Sequence, residues 1–373
     1  MKILHIINTL EIGGAQSVLV QLLEGWGNES DPQMVISLRQ RQQLSGRIEA
    51  LNIPVEHINL QPDKIELKKF IQLISIIKKF KPDIVQTWLY HADLIGSIAV
   101  RLVSRAPIVW GIHHTITNQH SVKSSTWDVI RILSQLSTYL PSHIICCSKS
   151  AYQTHVDYGY SKNKMTMIVN GVNTDHFQPD AAARTLMRDE LGLSSQTKLI
   201  GMFARYHPQK DHDNFIRAAG ILLKRNPFIH FVLAGEGIDN THKQLQNKIS
   251  RDGIQDHFHL LGSRQDMPRL NAGMDIVTLS SSYGEALPMT LCEAMSCGTP
   301  CIATNVGDTA ALIGNTGLVV EPNDPSALAD AWQTILELSD MEYNNLCHQA
   351  RQRILEVYNL ENMVSEYKRI YQR

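Results

Sequence analysis

At 373 residues, 43% of them hydrophobic and 19% charged, the chain has a globular balance and room for two domains. A net charge of −1 gives no basic field that would argue for nucleic acid. The six cysteines form no CxxC pair and mostly lie in apolar runs, which fits free thiols in a reducing compartment.

Met1-Lys2 leads at once into a strand, Ile3–Ile7, without the long apolar core and cleavage site of a signal peptide. The turn Ile12-Gly13-Gly14-Ala15 then opens a helix through about Trp26. Further strands are expected near Met34–Leu38, Ile84–Thr87, Ile108–Ile112, His143–Cys146 and Met165–Val169, with helical patterns over Leu67–Phe80 and Trp127–Leu140. Residues 170–196 read as a polar connection. The alternation restarts with a strand at Leu199–Ala204, a helix at Asp213–Lys224 and strands at His230–Ala234, Asp275–Leu279 and Pro300–Thr304. Helices over Asp324–Leu338, Met341–Val357 and Leu360–Tyr371 close the chain. This βαβα order predicts an α/β protein of two doubly wound parallel sheets. The expected domains are residues 1–185 and 186–357, with 358–373 packing back on the first. Ligands of such sheets bind at the carboxyl ends of the strands, and an interdomain cleft is the default site. No apolar run approaches a membrane span, so a cytoplasmic protein is expected.

The most informative residues are Glu285 and Glu293, with seven residues between them. Pro288 stands where a helix would begin, since a first helical position needs no N–H. The free amides of that first turn suit an anion. Two carboxylates beside an anion site fit a ligand with both hydroxyls and phosphates, such as a nucleotide-sugar. Two glutamates at this spacing also occur by chance. Arg205 and Lys210 would stand at the end of one strand, where a planar guanidinium and a point charge can hold a diphosphate; a solvated loop is the bland alternative. Gly13-Gly14 is not GxGxxG and has no acidic partner for a dinucleotide ribose. It permits close backbone approach, or is a tight turn only. His113 and His114 end the Ile108–Ile112 strand, without further ligands at a metal-site spacing.

Together these residues resemble the retaining glycosyltransferases of family 4, which have the GT-B fold of two Rossmann-like domains. The run from Glu285 to Pro300 carries the acid–seven–acid signature and a downstream EAMxxGxP. Arg205 and Lys210 match the family's donor-diphosphate cations, and Gly13-Gly14-Ala15-Gln16 its first glycine loop. Asn170-Gly171-Val172-Asn173 with Phe177 is similar to its NGVD stretch; Gly307-Asp308 and Gly317–Val320 are similar to late elements. Asn173 stands for the usual Asp, Ala204 for Gly, Ala286-Leu287 for Gly-Phe and Pro288 for Gly. The run Trp88–Asp93 resembles members that build bacterial surface polysaccharides.

The resemblance implies that Glu293 binds the ribose and Glu285 the donor sugar. Ala286, Leu287, Pro288 and Met289 would line the sugar and phosphate, Gly13 and Gly14 would admit the diphosphate, and Gly262 and Arg264 would lie near the base. His113 holds the position of the family's active-site histidine, with His114 ranked second. The implied reaction is retaining transfer from a nucleoside-diphosphate-sugar, UDP-sugar first, to an acceptor hydroxyl. It needs no metal and no other cofactor, and closes the domains over the donor. A lipid-linked glycan of O-antigen, capsule or exopolysaccharide is the expected acceptor. Lys64, Lys68, Lys69, Lys78, Lys79 and Lys81 flank an apolar helical stripe, which fits either a packed sheet helix with a solvated edge or peripheral contact with an anionic membrane. Residues 1–180 hold 17 basic and 14 acidic side chains, the remainder 18 and 22. A nucleotide-sugar epimerase on the same fold and a non-catalytic nucleotide-sugar-binding subunit are the competing readings.

Overall fold

In this computed structural model the described residues are 1–27, 31–61, 66–116, 124–251 and 253–372. They form two compact units, Met1–Gly171 with Leu360–Arg373, and Val172–Asn359.

The first unit runs β1 (Ile3–Ile7), α1 (Gly14–Trp26), β2 (Gln33–Ser37), α2 (Ser45–Glu49), β3 (Val55–His57), α3 (Leu67–Phe80), β4 (Ile84–Trp88), α4 (Tyr90–Val103), β5 (Ile108–Ile112), α5 (Ser124–Leu136), β6 (His143–Cys146), α6 (Lys149–Asp157) and β7 (Met165–Met167). Its sheet is parallel, in the order β3-β2-β1-β4-β5-β6-β7. Every residue of β1, β4 and β5 is buried, as expected of strands covered on both faces.

The second unit repeats the plan: α7 (Ala181–Glu190), β8 (Lys198–Phe203), α8 (His212–Leu223), β9 (Ile229–Ala234), α9 (Lys243–Arg251), β10 (Phe258–Leu260), α10 (Met267–Gly273), β11 (Ile276–Leu279), α11 (Met289–Ser296), β12 (Cys301–Thr304), α12 (Thr309–Ile313), β13 (Gly317–Val320), α13 (Pro325–Leu336) and α14 (Asp340–Val357). The strand order is β10-β9-β8-β11-β12-β13, around a core holding Phe215, Phe231 and Trp332. The chain then returns to the first unit as α15 (Leu360–Tyr371), which packs on α1. Gly25 makes that approach possible, because a Cβ there would come within 2.9 Å of Val364.

Two differences from the sequence reading have clear causes. The connection expected at 170–196 contains α7, started by the Asp180 side chain, which accepts from the Ala182 amide at 2.9 Å. Its buried side is short: Ala183, Met187 and Arg188. The arginine hides the signal, since a charged residue reads as solvent-facing. Here Arg188 is buried against Asp275 at 2.6 Å and donates to Thr197 and Gly273 carbonyls. These contacts join α7 to the second unit, which begins at Val172. Strands β3 and β10, of three residues each, lie at sheet edges and are too short for an alternation to register. Lys64 lies outside the described residues. Of the remaining stripe, Leu73 and Ile77 are buried, while Leu67 and Ile71 are exposed beside Lys68, Lys78 and Lys79. Among the described residues no helix is long and apolar enough to cross a membrane.

Candidate active site

In each sheet the order reverses between a first and a fourth strand, β1 and β4 in one unit, β8 and β11 in the other. A doubly wound sheet opens a crevice at that reversal, because the flanking crossovers leave to opposite faces.

In the second unit the crevice end of β8 continues into Arg205 and a single 3-10 turn, Pro208–Lys210. The crevice end of β11 continues into Ser280–Glu285. The two segments are stitched together. The Ser280 hydroxyl donates to the carbonyls of Lys210 and Asp211 at 2.9 and 3.1 Å, and the Ser282 amide to Gln209 at 2.9 Å. Lys210 Nζ thereby meets Glu285 Oε1 at 2.6 Å, and Ser281 Oγ donates to the same oxygen at 2.6 Å. Glu285 is 7% exposed, and among the described residues its Oε2 has no partner. The open carboxylate oxygen retains the capacity to accept a hydrogen bond.

Gly307 clamps this residue from the other side. Its φ is +62, and a Cβ there would lie 2.1 Å from the Glu285 carbonyl oxygen. The Asp308 amide then donates to the Ala286 carbonyl at 3.0 Å. Two residues on, Pro288 is the N-cap of α11, one position before the place expected for it. No side chain caps this end, and the Met289 and Thr290 amides have no backbone acceptor among the described residues. Such amides, at the positive end of a helix, attract anions. Glu293 lies on the second turn, half-buried. Arg205 is exposed and makes no hydrogen bond or ion pair among the described residues.

Gly262 lies after β10 with φ +66; its carbonyl accepts from the Gly235 amide at 2.8 Å and its amide donates to Ile238 at 2.6 Å. Arg264 is spent on its own protein. It pairs with Asp266 and Glu190, both at 2.8 Å, in a network that includes Arg269.

In the first unit Gly13 is the N-cap of α1 and Gly14 its first residue. A Cβ on Gly13 would strike the Gln16 side chain at 2.6 Å, whereas one on Gly14 would meet nothing within 4 Å among the described residues. His113 follows β5 directly. Its ring stacks on Trp88 at 5.1 Å and 19°. Both ring nitrogens are buried without a partner among the described residues, and burial pushes the imidazole down to about 4. It is therefore neutral at pH 7, with one nitrogen to donate and one to accept. His114 is half-buried and engaged by neighbouring groups.

Sequence reasoning passed over several residues here. Leu89 has φ +73 and ψ 153, strained for a residue with a Cβ, at the corner where β4 becomes α4. Asp93 braces that corner through Thr87 Oγ1 at 2.6 Å, and burial pushes its carboxyl well above the usual range. Tyr90 bonds to His155 Nε2 at 2.9 Å. Only the Trp88–Asp93 run hinted at this cluster. Among the described residues no three His, Cys, Asp or Glu side chains are grouped to hold a metal ion.

The family model described as Glycosyltransferase Family 4 matches residues 12–176, and that described as Glycosyl transferases group 1 matches residues 197–338. The UDP-Gal:alpha-D-GlcNAc-diphosphoundecaprenol alpha-1,3-galactosyltransferase of Escherichia coli is 27% identical over 383 residues, spanning 100% of this chain and 96% of the relative. The lipopolysaccharide core biosynthesis mannosyltransferase LpsB of Rhizobium meliloti (strain 1021) is 28% identical over 173 residues, 44% of this chain and 49% of its own. Anabaena Alr3699/HepE in complex with UDP has the same fold, with a TM-score of 0.87 at 22% identity over 100% of both chains. Its complex with UDP-glucose gives 0.87 at 21%, over 100% and 99%. Each half of the chain has its own matching model and one relative aligns from end to end, so the chain belongs to glycosyltransferase family 4 and has the GT-B fold.

Proposed function

We propose that the protein is a retaining, metal-independent glycosyltransferase that moves a sugar from a UDP-sugar to a lipid-linked glycan of a bacterial surface polysaccharide. The observation that carries this reading is the Lys210–Glu285 pair, held at 2.6 Å between two strand ends. The Escherichia coli relative, named for UDP-Gal and a diphosphoundecaprenol acceptor, and the UDP complexes of HepE support the choice of donor and acceptor class.

In this reading the donor diphosphate takes Arg205, Lys210 and the open α11 amides. When it does, Lys210 turns its charge from Glu285 to the phosphate, and Glu285 turns to the sugar hydroxyls. Glu293 takes the ribose, and His113 offers its two unpaired nitrogens to a sugar hydroxyl. As the C1–O bond breaks, charge gathers on the β-phosphate. Fixed cations and amides stabilise that charge without reorganising, which is why no divalent metal is invoked. The acceptor oxygen bonds to C1 from the face the phosphate leaves, and its proton passes to the departing phosphate. The configuration is kept. The exposed Leu67 and Ile71 with Lys68, Lys78 and Lys79 support peripheral contact with an anionic membrane through α3, at the cytoplasmic face.

A thermal-shift panel of UDP-sugars, run with and without EDTA, tests the reading. A ligand at 100-fold over its dissociation constant adds about 2.7 kcal/mol to the native state. A selective shift insensitive to EDTA is expected; a shift that EDTA abolishes refutes the metal-free site. For α3, sedimentation with phosphatidylglycerol vesicles at low salt should carry the protein down, and failure to do so counts against membrane contact.

A further inference from the structure

Among the described residues His113 has no hydrogen bond at either ring nitrogen. An imidazole in that state can turn about its terminal side-chain torsion, which is broad, unless something fixes its plane. The structure assigns that task to Trp88: we infer that Trp88 is a positioning residue for the transfer reaction, acting through His113 and backed by Tyr367 of the C-terminal helix. This rests on the proposed role of His113 toward the sugar.

Trp88 is the last residue of β4 and is fully buried. Its indole is the shared layer of three near-parallel rings. His113 lies 5.1 Å away at 19°, and Tyr367 lies 6.1 Å away at 10°. The indole cannot turn in its own plane, because Nε1 donates to His5 Nδ1 at 3.3 Å, and His5 in turn donates from Nε2 to Gln33 Oε1 at 3.1 Å. Strand register sets Trp88 beside Gly111, two residues before His113. Gly111 leaves the needed space: a Cβ there would sit 3.0 Å from the Thr87 carbonyl and 3.5 Å from His113 Nε2. Tyr371, one turn beyond Tyr367, bonds to Gln86 Oε1 at 3.1 Å and holds α15 against β4. The last helix of the chain therefore reaches the reacting end of the sheet through two stacked rings.

The test is a double-mutant cycle on UDP release, with water as acceptor, using whichever of UDP-galactose, UDP-glucose, UDP-N-acetylglucosamine and UDP-N-acetylgalactosamine turns over fastest. Trp88→Phe keeps an aromatic face and should stay within about 3-fold of wild type, whereas Trp88→Leu should lower kcat about 10-fold with KM little changed. In a His113→Ala background the same Trp88→Leu change should cost less than about 2-fold, because the group it positions is gone. Equal losses in both backgrounds mean a structural role and overturn the inference, as does an unaltered kcat in Trp88→Leu. If His113→Ala itself retains wild-type kcat, or the wild-type protein releases UDP from none of the four sugars, it is the underlying reading that fails. Should Trp88→Leu not fold, Tyr367→Leu runs the same cycle, with the same outcomes deciding.

Discussion

Lys210→Ala separates the site's role in stability from its role in chemistry. The lysine compensates Glu285 at 2.6 Å, with side-chain exposures of 19% and 8%. Removing it leaves a buried carboxylate with Ser281 as its near donor and Gln209 at 3.5 Å. Losing one partner of a fully buried ion pair costs about 3–5 kcal/mol; the partial exposure of Lys210 lowers this to about 1–3 kcal/mol. The chemical loss should be larger. Removing one preorganised charge donor from a developing anion typically costs about 2.7–4 kcal/mol, or 10²–10³ in turnover. Adding Glu285→Gln to Lys210→Ala removes the stranded charge, so stability should return to within about 1 kcal/mol of wild type while turnover stays low. Urea unfolding followed by circular dichroism gives the first quantity, and UDP release the second. Turnover within 3-fold of wild type in Lys210→Ala would refute the site. Equal recovery of stability and turnover in the double variant would show that Lys210 acts only on the fold.

Acid should weaken the protein in a defined window. Burial holds His5, His113 and His212 at about 4, against about 6.5 in the unfolded chain. Between those values the unfolded chain binds more protons, so stability falls as pH drops from 6.5 to 4, by up to about 3 kcal/mol per histidine. His5→Gln should make the slope shallower in urea titrations at stepped pH; an unchanged slope removes His5 from the account. Asp275 takes Arg188 at 2.6 Å and the Leu199 amide at 2.7 Å, and also pairs with Arg184. Arg188→Ala should therefore cost the second unit about 3–5 kcal/mol in thermal melts, and a loss under 1 kcal/mol contradicts that. Gly14→Ala adds a methyl that meets nothing within 4 Å among the described residues. It should lower donor affinity without lowering Tm; unaltered affinity argues that no ligand approaches Gly14. Gly307→Ala should lower both, since its Cβ collides with the Glu285 carbonyl.

What the sequence determined by itself is what depends on near neighbours. The β4 and β5 strands, the start of α11 to within one residue of Pro288 and the spacing of Glu285 and Glu293 along one short segment all follow from periodicity and backbone preference. The repeated α/β alternation also contained the two-sheet plan, because a parallel strand needs a crossover and the crossover has one hand. Tertiary structure decided which of the singled-out residues have charge to spare. Lys210 and Glu285 are 75 residues apart and meet because β8 and β11 are sheet neighbours. Gly307 reaches the Glu285 backbone from the end of β12, and Tyr367 reaches Trp88 from the end of the chain. Arg264 looked as available as Arg205, yet Glu190 and Asp266 neutralise it while Arg205 stays open. A sequence records the charge on each side chain. Its partners are chosen by contacts between segments that only the packed sheets bring together.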